Sequence, residues 1–152
     1  MKILFFSLVI STFLVAACAE KVIESADSVL VRSLATSNLL GQWKFKGYSD
    51  GKVPPYDVTL EFKNEERKNT LNGRSSVNFY FADFEIDVTK KTMKIGVLGS
   101  TKIAGTIEAN QFEAIYYERF RNIARYEFKN DNLLLLHLEN PTNETMYFER
   151  KQ

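Results

Sequence analysis

From Leu39 to the C-terminus, short apolar stretches alternate with turn-forming residues, the habit of an antiparallel β domain. Trp43 to Tyr48 is a strand candidate closed by Ser49-Asp50-Gly51. Val58, Leu60 and Phe62 alternate with Thr59 and Glu61, predicting a half-buried strand, and the charged run Asn64 to Lys68 turns the chain. Asn72-Gly73 reads as another turn. Beyond it Val77, Phe79 and Phe81 face one way and Asn78, Tyr80 and Ala82 the other. Phe84, Ile86 and Val88 alternate with Glu85 and Asp87, and Lys90-Lys91 turns into Met93 to Leu98. Arg125 to Lys129, Leu133 to Leu138 and Thr145 to Phe148 complete the strands. Asn130-Asp131-Asn132 and Asn140-Pro141-Thr142-Asn143 separate these last three.

One segment breaks the two-residue period. Between Glu108 and Asn122, Phe112, Ile115, Tyr116 and Phe120 recur at helical spacing, continued by Ile123. This predicts one amphipathic helix around 108–122, with Phe112, Tyr116, Phe120 and Ile123 against the sheet. Tyr117, Glu118 and Arg119 are expected to point outward. Eight or nine strands and one helix make a mainly β fold, an antiparallel barrel or roll.

The N-terminus follows a different pattern. Met1-Lys2 precedes an apolar run, Ile3 to Ala17, interrupted only by Ser7, Ser11 and Thr12. A basic start, an apolar middle and small residues at the exit are the marks of a secretory signal, and the run is short of the roughly 20 residues a spanning helix needs. Leu14-Val15-Ala16-Ala17-Cys18 resembles the bacterial lipobox. That resemblance implies cleavage after Ala17 and lipid attachment at Cys18, the only cysteine of the chain. Stable anchoring takes more than one acyl chain, at about 0.8 kcal/mol per buried CH₂. Ala19, rather than Asp, next to the cysteine resembles an outer-membrane address. Residues 1–17 are therefore expected as a lipoprotein signal peptide, 18–38 as a lipidated tether and 39–152 as the folded domain. The tether is rich in Ser, Ala and Thr and, as a flexible coil, would reach about 25 Å from the bilayer. Val22, Ile23, Ala26, Leu30 and Leu34 leave room for a local helix there.

Charge narrows the partners. Of 152 residues, 20 are Lys or Arg and 19 are Asp or Glu; removing the signal takes away Lys2 alone, leaving 19 of each sign. No field of either sign would draw in nucleic acid. One Cys and one His leave no disulfide, no cysteine-rich metal site and no cysteine–histidine pair once Cys18 is lipidated.

The remaining candidates for chemistry are thin. His137 lies in Leu133-Leu134-Leu135-Leu136-His137-Leu138 without a second His or free Cys, so it reads as a packed histidine hydrogen-bonded to backbone. Asp83, Glu85 and Asp87 share one side of a strand, the pattern of a solvated face rather than an acid–base pair. Gly96-Val97-Leu98-Gly99-Ser100-Thr101-Lys102 lacks the order of a phosphate loop. Asn143-Glu144-Thr145 fits a glycosylation acceptor, which the lipobox discounts. No catalytic, cofactor or metal residues are assigned.

The order of these segments resembles a known family, the META or HslJ-type heat-shock domain. Leu40-Gly41-Gln42-Trp43 is similar to its opening and Thr59-Leu60-Glu61-Phe62 to its next strand. Gly73 with Val77-Asn78-Phe79-Tyr80-Phe81-Ala82-Asp83-Phe84 resembles its Gly and Cys-Asn-x-aromatic-x-Gly-x-aromatic run. Gly99 to Gly105 resembles its Thr-Lys/Arg-Met-Ala-Cys stretch. Glu113, Tyr116, Phe120, Tyr126, Phe128, Leu133 and Leu135 follow the spacing of its helix and later strands. The family's two cysteines fall at Val77 and Gly105 here, and Ala82 replaces a Gly. If those cysteines pair, Val77 and Gly105 must lie close. The family implies a compact β-rich domain, often on exported lipoproteins and linked to stress, and no reaction.

The expected function is thus a non-enzymatic, lipid-anchored protein of the bacterial envelope, in stress or maintenance, acting by binding. Its partners would be the membrane through Cys18 and an envelope protein or small ligand. A carrier with a ligand cavity inside the barrel is the alternative.

Overall fold

The computed structural model describes residues 37–65, 68–139 and 144–152. The expected signal segment, Cys18, nearly all of the tether and the Asn140–Asn143 turn lie outside them. Among the described residues nine strands form β1 (Gly41–Tyr48), β2 (Thr59–Glu65), β3 (Lys68–Arg74), β4 (Phe79–Asp87), β5 (Thr92–Ile95), β6 (Gly99–Ser100), β7 (Ile123–Asn130), β8 (Leu133–Leu138) and β9 (Thr145–Arg150). The helix α1 spans Ile107–Arg121.

Every strand pairs antiparallel, in the order β3-β2-β1-β9-β8-β7-β5-β4, and a β3–β4 pairing closes the circle. The result is an eight-strand barrel, with β6 added on β4 opposite Tyr80 and Phe81. Closure leaves no long open edge. One seam is weak: β5 and β7 share a single register pair, Thr92 with Arg125. The segment from β5 to β7 carries α1, which covers the mouth where β1 ends and β2 begins. Phe112 meets Tyr56 there at 5.0 Å between ring centroids, and Arg119 lies over the Tyr48 ring.

Alternation builds the interior. Trp43 and Phe45 of β1, Leu60 and Phe62 of β2, Tyr80 and Phe84 of β4, and Leu134 and Leu136 of β8 point inward. Tyr116 and Phe120 of α1 join them, fully buried. Tyr116 contacts Phe45 at 5.5 Å and Tyr80 at 5.6 Å, both edge-on, the arrangement aromatic quadrupoles prefer. Each such side chain contributes about 1.5–3 kcal/mol by leaving water. The two inward phenols satisfy each other: Tyr80 and Tyr116 hydroxyls lie 2.7 Å apart, and Tyr80 donates to the Thr59 carbonyl at 2.8 Å. The barrel axis is filled by side chains.

The helix begins and ends where local chemistry dictates. Thr106 caps it by accepting the Ala109 N–H, Glu108 sits in the first turn, and Arg119 and Arg121 occupy the last. Asn122 then closes it by donating to the Arg119 carbonyl.

Four expectations are corrected. Asn72-Gly73 is not a turn but lies inside β3, paired with Phe81 and Tyr80. Gly73 is there because a Cβ would come within 2.6 Å of the Tyr80 ring and 2.1 Å of the Thr59 carbonyl. Ile123 does not continue the helix; it opens β7 and is buried there. On the helix, Tyr117 is buried and Ile115 exposed, the reverse of the expected face. Arg119 is half-buried rather than free, because it bonds Glu144 at 2.7 Å.

Candidate functional site

Two neighbouring features lie under and beside α1. The first is polar. The turn between β3 and β4 buries Ser75 and Asn78, and Glu113 reaches into it from the helix. The Glu113 carboxylate accepts from Ser75 Oγ, from the Asn78 backbone N–H at 3.0 Å and from Asn78 Nδ2 at 2.7 Å. Asn78 Oδ1 accepts from Thr101 Oγ1 and the Ile103 N–H, both at 2.7 Å, which ties in the loop before the helix. Tyr117 turns inward because its hydroxyl finds Ser75 Oγ at 3.1 Å. Burial pushes the Glu113 carboxyl up. Hydrogen bonds from Ser75, Asn78 and the Val77 backbone outweigh that, so the carboxyl sits below its ordinary value. Ser75 is too buried to meet a substrate, so this network holds three segments together rather than offering a nucleophile.

The second feature is a cleft of about 230 Å³ between the β1–β2 connection and the exposed side of α1. Phe45, Val53, Pro54, Phe112 and Ile115 make it mostly apolar, and Tyr48, Asp50, Lys52 and Arg119 supply its polar groups. The Arg119 guanidinium lies 4.0 Å from the Tyr48 ring centroid while its Nε bonds Glu144. It therefore packs on the ring, and the Tyr48 hydroxyl is buried beneath it. Burial raises the Tyr48 pKa, against the hydrogen bond and charge of Arg119, so the phenol keeps its proton. A mostly apolar cleft with a few charged groups around it is a general form of binding site.

The candidates read from the sequence lie elsewhere. Cys18 is outside the described residues. His137 bonds side chains rather than backbone, with Nδ1 3.0 Å from Thr145 Oγ1 and Nε2 3.3 Å from Glu127 Oε2. Asp83 and Asp87 face solvent, bound to Lys68 and Lys90. Among the described residues no three His, Cys, Asp or Glu side chains gather as metal ligands. The cleft was not foreseen. Its available signals were Val53-Pro54-Pro55, an apolar run in a connection, and Ile115, which a single core-facing stripe accommodates poorly.

Comparison with known proteins assigns the fold. A family model described as the META domain matches residues 32–152. The chain belongs to the META domain family. Among solved structures it is similar to the NMR structure of a protein from Burkholderia xenovorans, at 21% identity and a TM-score of 0.62. That match covers 78% of this chain and 88% of the other. It is also similar to a DUF4847 family protein from Bacteroides vulgatus, at 17% identity and a TM-score of 0.53, covering 78% and 97%. At these identities the likeness concerns the barrel alone. A search of curated proteins returns no match. In this META domain the positions that resemble the family's cysteines, Val77 and Gly105, are in contact: a Cβ on Gly105 would stand 2.5 Å from Val77 Cγ2.

Proposed function

We propose that this META-domain protein is a lipid-anchored component of the bacterial envelope, at the outer membrane, that works by binding and not by catalysis. The N-terminal lipobox-like Leu14 to Cys18 supports the anchor. The observation that carries the binding role is the cleft beside α1, with apolar walls from Val53, Pro54, Phe112 and Ile115 and the charged groups of Asp50, Lys52 and Arg119 around them. Its volume suits one or two side chains of a partner or a small apolar group. The filled barrel axis argues against an internal ligand chamber, so the binding surface is external.

The test is site-specific photocrosslinking in intact envelopes. A photoreactive residue at Ile115, in the cleft, should yield a discrete adduct; one at exposed Lys129 on β7 should not. Equal adducts from both positions, or none from Ile115, would remove the cleft as the site. For the anchor, globomycin should block processing, and Cys18→Ser should release the protein from membranes.

A further inference from the structure

The outer face of β4 holds two aromatic rings in water. Phe79 and Phe81 are 57% and 59% exposed, while Tyr80, Ala82 and Phe84 of the same strand are buried. Val97 and Ile103 are also open, at 95% and 54%. A solvent-facing strand surface is ordinarily polar, so four large apolar groups in one region ask for an occupant.

The patch is a built feature. Phe81 lies opposite Gly99 of β6, and a Cβ on Gly99 would come within 2.6 Å of the Phe81 ring. The bare glycine thus lets the ring lie over the strand. Phe79 is fixed beside it: its carbonyl accepts the Thr101 N–H at 3.0 Å and its N–H donates to Thr101 Oγ1 at 3.2 Å. Val97 and Phe81 line one shallow depression, whose rim carries Lys63, Lys68, Glu65 and Asp83. Cations flank the apolar groups. Arg74 is the register partner of Phe79, and Lys102 lies between Thr101 and Ile103. Both are exposed, and neither forms an ion pair among the described residues. The next outward acid, Asp83, is already bound to Lys68 at 3.1 Å.

We infer that this face docks onto an anionic lipid bilayer, with Phe79, Phe81, Val97 and Ile103 entering the headgroup region and Arg74 and Lys102 meeting lipid phosphates. Exposed apolar groups beside solvent-facing cations are the composition that partitions to such an interface. The inference rests on the anchored reading above, which keeps a bilayer within the tether's reach. Tethering raises the local lipid concentration, so a patch too weak to hold a free protein suffices to orient an anchored one.

Trp43 is the only tryptophan and is fully buried, so Phe81→Trp, or Phe79→Trp should that variant not fold, adds a reporter at the patch. The full chain is mixed with phosphatidylcholine vesicles carrying brominated acyl chains, with and without phosphatidylglycerol. On anionic vesicles the new indole should shift to the blue and be quenched, and salt should weaken both effects. Arg74→Gln and Lys102→Gln should each lower the partitioning about five-fold. An indole that vesicles leave unchanged overturns the inference. So does a blue shift that appears without vesicles and grows with protein concentration, which would mark a contact between copies. Acyl mass on Cys18 is read separately. An acylated chain without quenching removes the docking face and keeps the anchor; a quenched indole on an unacylated chain does the reverse.

Discussion

Val77 and Gly105 stand against each other, the valine in the turn before β4 and the glycine in the loop before α1; a Cβ on Gly105 would be 2.5 Å from Val77 Cγ2 and 3.0 Å from Asn110 Oδ1. The contact fits the expectation that two cysteines at these positions would lie near each other. In this chain the valine side chain occupies the room a second side chain would need. Gly105→Ala should therefore cost about 1–3 kcal/mol through overpacking. Val77→Ala in the same chain should recover part of that loss, because the clashing methyl is gone. A double-mutant cycle in denaturant melts measures the coupling. Additive losses would mean that the two residues do not press on each other.

Glu113 predicts an acid-sensitive fold. Its carboxyl is held below its ordinary value, so the carboxylate stabilises the folded state fully above the unfolded pKa, about 4.3 for a free glutamate. That contribution should fall away as the pH drops through the lower, folded pKa. Glu113→Gln should cost about 1–3 kcal/mol at neutral pH, since the Ser75 and Asn78 donors lose a charged acceptor. It should also flatten the acid limb of stability against pH. An unchanged acid limb would mean that other carboxylates govern it.

The helix offers a direct contrast. Phe120 is fully buried, 5.4 Å from Tyr80 and 5.6 Å from Tyr116 between ring centroids. Phe120→Ala should cost about 3–5 kcal/mol, as emptying an aromatic site in a closed core does. Ile115→Ala, on the exposed side of the same helix, should stay within about 0.5 kcal/mol. Chemical denaturation of both variants decides which face carries the packing.

The helix and Gly73 also show how far the sequence could be read. Alternation located most strands, because a half-buried strand writes its burial directly into the order of residues. The helix stripe placed Tyr116 and Phe120 correctly but misjudged Tyr117 and Ile115. A phenol with a buried hydroxyl partner can be core, and that partner, Ser75, is 42 residues away along the chain. Gly73 signalled a turn locally. Its reason is the Tyr80 ring crossing the strand, a contact only the folded register creates. The cleft beside α1 was invisible for the same cause: it joins the β1–β2 connection to a helix about 60 residues further on. Gly73→Ala should accordingly cost more than about 3 kcal/mol, well above a Gly-to-Ala change in an open strand. Thermal melts check this, and a neutral result would mean that β3 moves aside easily.

The last prediction concerns the mouth opposite α1, where the chain enters the barrel. Trp43 donates its indole N–H to the Leu39 carbonyl at 2.9 Å, and Leu39 is fully buried. Arg150, at the end of β9, lies 4.2 Å from the Trp43 ring centroid. Its Nη1 donates to the Leu40 carbonyl at 3.0 Å, its Nη2 to the Asn38 carbonyl at 2.5 Å and its Nε to the Asp131 carbonyl at 2.9 Å. One guanidinium thus covers the indole and fastens both the entering segment and the β7–β8 turn. A lysine has neither the planar face nor the fork, so Arg150→Lys should lose most of this. The expected cost is about 1–3 kcal/mol, from the cation–π contact and three charge-assisted hydrogen bonds. Because Trp43 is the only tryptophan, its emission should shift to the red as water reaches the ring. Denaturation followed by fluorescence measures both effects in one experiment. Unchanged emission with unchanged stability would show that the mouth is closed by Leu39 alone.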